Sequence, residues 1–156
     1  MHFLTRDFGA VRLLAKGSRK PRSSSGGGLD LLSEGDLVYT TSRSGGLGTL
    51  IEFAEEVSHR RLRTDARRLN TALYMLELVD AMLAEDDPHP EVFDLLHNGL
   101  LRLGQDDAPI AAVLAYYQWR LLRNVGLLGD MRTCVSCGKE VACKHRGRAY
   151  FSSQQG

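Results

Sequence analysis

Two cysteines, Cys134 and Cys137, with Gly138 directly after them, carry the sharpest chemical signal in the sequence. A C-x-x-C-G turn has the form of a zinc knuckle. Two thiolates on a tight turn can hold one Zn²⁺, and the glycine accepts the backbone conformation the turn needs. A structural zinc takes four ligands, so Cys143 is the third candidate and His145, or a residue of a partner, the fourth. The spacing from Cys137 to Cys143 is not that of a single zinc ribbon, and free thiols in an incomplete metal site are the competing reading. A thioredoxin-type redox role is disfavoured, because the motif follows helices instead of opening one from a βαβ unit. Three cysteines in all argue against a secreted disulfide scaffold and for a reducing, cytoplasmic compartment.

The second signal is cationic. Lys16, Arg19, Lys20 and Arg22 place four positive charges in seven residues. Such a run can track phosphates and release counterions, or it can be a solvated loop without a partner. Net charge is only +1 over the chain, yet residues 1–28 carry +5, residues 29–59 carry −5, residues 60–130 carry −3 and residues 131–156 carry +4. Other patterns fall away. Ser44 to Thr49 looks like a phosphate loop but lacks the lysine and the following helix. No nucleophile–base set of a hydrolase or metalloprotease motif is present, so an enzyme is the class least expected. Asp86-Asp87 and Asp106-Asp107 sit at expected helix boundaries, where capping explains them. His59, His89 and His97 read as surface or packing residues. Trp119 lies off the apolar stripe of its helix, near Tyr116 and Arg120, and is a candidate to face another domain or a partner.

The elements that must position these residues follow from periodicity. In 156 residues, 43% apolar and 25% charged, a globular core is affordable. The longest apolar run, Ile110 to Tyr117, is too short to span a membrane, and the N-terminus has no secretory h-region. Residues 1–57 read as β structure. Ala10 to Lys16 alternates, with Val11, Leu13 and Ala15 on one face. Residues 17–28 read as a flexible Gly/Ser loop. Leu37–Thr40 and Thr49–Ala54 read as strands joined by a Gly-rich hairpin over residues 42–48. Residues 58–130 turn helical. One stripe runs Leu62, Ala66, Leu69, Leu73, Leu76, Val79 and Leu83, widened by Ala72, Met75, Leu78 and Met82. A second helix follows Pro90 and ends near Gly104, and a third carries Ile110, Val113, Leu114, Tyr117 and Leu121. Residues 131–156 form a short basic tail with all three cysteines.

In this order the segments resemble the RecO family of bacterial recombination mediators. The similarity rests on Leu4-Thr5-Arg6-Asp7-Phe8-Gly9 running on to Lys16-Gly17, on Tyr74 to Asp80, on Pro88 to Leu96, on Arg120 to Gly126 with Cys134 and Cys137 behind it, and on Tyr150-Phe151-Ser152. It implies an α+β chain: an N-terminal OB-like β-barrel over 1–57, an α-helical domain over 58–130 and a partial zinc-binding tail over 131–156. It implies a non-enzymatic recombination mediator in gap and double-strand-break repair of the RecF-pathway type. Such a protein binds single- and double-stranded DNA, anneals strands and aids recombinase loading. Implied partners are a RecR-type mediator and the C-terminal tail of single-strand-binding protein. On this resemblance Lys16, Arg19, Lys20 and Arg22 contact DNA, with Arg12 and Arg6 as weaker candidates, and Cys134 and Cys137 match zinc ligands, while Cys143 does not. Family members are longer, so the expectation is a chain truncated at both ends whose barrel lacks its first strand. A helical protein-interaction module and a nonfunctional remnant are the rival readings.

Overall fold

A computed structural model describes residues 1–15, 29–41, 47–129 and 131–141. Four strands come first: β1 (His2–Thr5), β2 (Gly9–Leu14), β3 (Glu34–Thr40) and β4 (Gly48–Val57). A 3₁₀ turn (Arg60–Thr64) leads into three helices, α1 (Ala66–Met82), α2 (Pro90–Leu103) and α3 (Ile110–Asn124). The chain is therefore α+β, with an open sheet ahead of a helical unit. Strand order is β1-β2-β4-β3. β1 and β2 form an antiparallel hairpin, β2 and β4 pair in parallel at Leu13–Gly48 and Leu14–Thr49, and β3 and β4 are antiparallel.

The alternation in β2 is realised as expected: Val11 and Leu13 are buried, while Arg12 and Leu14 face outward. The β1–β2 turn closes on Thr5, whose hydroxyl accepts from the Phe8 N–H at 3.1 Å and donates to the Gly9 carbonyl at 2.8 Å. Gly9 has φ +72, and a Cβ there would lie 2.4 Å from the Asp87 carbonyl oxygen. Glycine is required on both counts, because the α1–α2 loop docks directly on the start of β2. The same loop donates the Asp86 N–H to the Ala10 carbonyl at 3.1 Å.

The helical core is built from Leu62, Ala72, Met75, Val79, Val92, Leu96, Leu100, Leu103, Tyr117 and Leu121, with Leu32 reaching in from the chain ahead of β3. On α1 the buried residues are Ala72, Met75 and Val79, whereas Ala66 is exposed. The centre of the apolar face is thus rotated from the stripe read off the sequence, because α1 packs on both α2 and α3. Pro90 opens α2 as its first helical residue. Gly104 closes that helix in a right-handed conformation, with φ −73.

The acidic pairs do not cap the helices. Pro109 holds the N-cap position of α3 without a side-chain cap bond, which leaves Asp106 and Asp107 upstream of it. His89 holds the N-cap position of α2, and Asp87 instead meets His89 Nε2 at 3.2 Å. Asp65 is the true capping aspartate, accepting the Arg67 N–H at 2.8 Å at the start of α1. No helix of the described residues is long and apolar enough to cross a membrane.

Candidate nucleic-acid interface

Of the cations singled out in the sequence, Lys16, Arg19, Lys20 and Arg22 lie outside the described residues. Arg6 and Arg12 are described, and both are paired with carboxylates of the helical unit. Arg6, on the β1–β2 turn, grips Asp94 of α2 with two parallel bonds, Nε to Oδ1 at 3.0 Å and Nη2 to Oδ2 at 3.1 Å. That bidentate contact holds the Asp94 carboxyl below its ordinary value. Arg12, on the outward face of β2, meets Glu85 at 2.8 Å. His2 of β1 meets Asp80 of α1 at 2.7 Å. The sheet therefore docks on the helices through an ionic seam.

The deepest part of that seam is a carboxylate shared by two imidazoles. Glu34, the first residue of β3, accepts from His59 Nε2 at 2.7 Å and from His97 Nδ1 at 2.5 Å. His59 lies just past β4 and is buried, while His97 belongs to α2. Burial pushes the Glu34 carboxyl up, but the hydrogen bonds and charges of both histidines outweigh it and hold the group below its ordinary value. Periodicity could place His59 and His97 but not their common partner.

Beside this cluster the structure brings together cations that charge averaging hid. Residues 60–68 contain five arginines, yet the surrounding segment is net acidic. Arg63 donates to the Asp30 carboxylate and, at 2.6 Å, to the Leu31 carbonyl. Arg68 donates to the carbonyls of Leu103, Gln105 and Asp106, closing the C-terminal end of α2. Arg60, Arg61 and Arg67 remain exposed. A nine-residue window of local charge would have found them.

The cysteine turn is compact. Gly138, at φ +66, donates its N–H to the Cys134 carbonyl at 2.8 Å, and the Cys134 N–H reaches the Lys139 carbonyl at 2.8 Å. The Cys134 thiol is lowered from its ordinary value by a hydrogen bond from the Cys137 backbone first, then by the Cys137 side chain and the Ser136 backbone. Two thiols on such a turn fit half of a zinc site. No cluster of three metal-binding side chains occurs among the described residues, and Cys143 and His145 lie outside them. On α3, Trp119 is at the surface, as its position off the stripe implies, with the Arg123 guanidinium 5.1 Å from its ring centre and Tyr116 at 6.5 Å.

Two family models match the chain: Recombination protein O N terminal over residues 1–57 and Recombination protein O C terminal over residues 63–155. Curated relatives named DNA repair protein RecO agree. The protein of Alkaliphilus metalliredigens is 30% identical over 152 residues, covering 97% of this chain and 59% of that protein. That of Salinibacter ruber is 33% identical over 123 residues, covering 79% and 47%. That of Synechococcus elongatus is 36% identical over 132 residues, covering 84% and 49%. The chain spans about half the length of the curated relatives it matches.

Proposed function

Because this chain belongs to the RecO family, we propose that it is a DNA-binding recombination mediator that anneals strands and aids recombinase loading in gap and double-strand-break repair. The observation that carries the reading is the match of the N-terminal family model to the segment that bears the cationic run. In this reading the open sheet is part of an OB-like barrel; the parallel pairing of β2 with β4 supports it. Lys16, Arg19, Lys20 and Arg22 neutralise phosphates on the strands being paired, and no bond is made or broken. The partners are single- and double-stranded DNA, a RecR-type mediator and the acidic tail of single-strand-binding protein. Tyr116, Trp119 and Arg123 give α3 an aromatic and cationic surface suited to such a tail.

The mechanism is electrostatic, so affinity for a single-stranded oligonucleotide should fall linearly with salt on logarithmic axes, with a slope near −0.7 per neutralised phosphate. Replacing Lys16, Arg19, Lys20 and Arg22 together by alanine should flatten that slope by about 3, read by fluorescence anisotropy across a salt series. An unchanged slope would remove the cationic run from the interface.

A zinc ion would be held by Cys134 and Cys137 with two further ligands, fastening the tail. It supplies structure and not chemistry. Metal analysis of the purified chain should find zinc in the wild type and none in Cys134→Ser; equal content in both would show that the turn is not a ligand.

A further inference from the structure

Three of the five arginines at residues 60–68 have no structural use. Arg63 and Arg68 are engaged by the fold, as their carbonyl and carboxylate partners show. Arg61 reaches only Asp106, at 3.8 Å, and both groups are largely exposed. Arg60 and Arg67 have no carboxylate partner among the described residues. Their placement runs against local electrostatics. Arg67 stands in the first turn of α1, whose positive end opposes a cation; the one nearby acid, Asp65, directs its carboxylate to the Arg67 backbone N–H and to Arg68. His59, which leads into the 3₁₀ turn, is held at φ 44, a left-handed conformation uncommon outside glycine, although histidine adopts it more readily than most residues. Weakly compensated like charge next to a constrained backbone is what a surface shows when an anion is its missing partner.

The surroundings say which anion. A groove of about 340 Å³ lies beside the turn, walled by Val57, His59, Arg60, Arg61, Leu101 and Gln105. It is open to solvent and shares Arg60 and Arg61 with the exposed cluster. Arg63 fixes Asp30 and Leu31 next to it, so the chain that leads into β3 arrives at the cluster. The cations therefore lie where the sheet passes into the helices.

We propose that Arg60, Arg61 and Arg67 form a phosphate track that carries a single DNA strand from the sheet onto the helical unit. This rests on the DNA-binding function above and adds a second contact zone to it. The track reads charge and not sequence, because contacts to phosphate carry no base information. It extends the footprint of the sheet along the strand.

The test uses the whole chain and a labelled oligothymidylate. Arg60→Ala/Arg61→Ala/Arg67→Ala should reduce the salt slope by about 2, one phosphate contact per arginine. The triple lysine variant should keep the wild-type slope, since a point charge suffices for a phosphate. Emission from Trp119, the sole tryptophan, reports that each variant is folded. A wild-type slope in the folded alanine variant overturns the track and leaves the DNA-binding function standing. Failure of the wild type itself to bind the oligonucleotide overturns both. Loss confined to a polyglutamate peptide, with DNA binding intact, also overturns it in favour of an acidic protein partner.

Discussion

Tyr117→Ala should destabilise the protein by about 3–5 kcal/mol, the range for removing a large buried aromatic side chain. Tyr117 is 1% exposed, in the cluster where α1, α2 and α3 meet. Its hydroxyl donates to the Met75 carbonyl at 3.0 Å, across 42 residues of sequence. Alanine would leave a void bordered by all three helices and remove that bond. Tyr117→Phe keeps the ring and loses only the bond, for about 1 kcal/mol. Urea unfolding followed by Trp119 emission separates the two; a Tyr117→Ala protein as stable as Tyr117→Phe would mean that the helices repack around the hole. Burial also pushes the Tyr117 phenol well above its ordinary value. Its contribution is therefore full below the unfolded value of 10.0 and drains away as pH rises from there toward the folded value.

What the sequence disclosed, and what it hid, divides along the range of the interactions. The alternation from Val11 to Leu14 and the stripe ending in Tyr117 and Leu121 could be read directly, because inward and outward faces follow from strand and helix geometry alone. The turn at Cys134 was legible for the same reason, as every contact that shapes it lies within a few residues. On α1 the apolar residues extend most of the way round, and only the docking of α2 and α3 makes Ala72, Met75 and Val79 its centre. Arg6 and Arg12 read as free cations, yet their partners Asp94 and Glu85 lie far along the chain. No local pattern encodes such pairs. They are exposed and screened by solvent, so a phosphate could compete for either arginine. The arginines of residues 60–68 were visible in the composition but vanished when charge was summed over a net acidic segment.

Glu34→Gln should cost about 1–3 kcal/mol at neutral pH, the penalty for leaving a buried polar group with a mismatched partner. The wild-type carboxylate accepts from both His59 and His97, whereas an amide has one oxygen and presents its NH₂ to the second imidazole. The pH dependence identifies the cause. Glu34 is held below its ordinary value of 4.5, so its stabilising contribution is present above that value and is lost as pH falls through the folded one. The groups facing it are His59 from the end of β4 and His97 from α2, and the His97 charge also acts on Asp94. Urea unfolding of wild type and Glu34→Gln should thus give curves that differ at pH 7 and converge in acid. A gap of constant size across that range would assign the effect to packing and not to the carboxylate. The consequence is larger than one residue's stability. Glu34 joins β3, the exit from β4 and α2 at one point, next to the exposed arginines. If this joint fixes the sheet on the helices, Glu34→Gln should also loosen the placement of the sheet relative to the arginine track. Affinity for a long oligonucleotide spanning both zones should then fall more than affinity for a short one that touches only one of them.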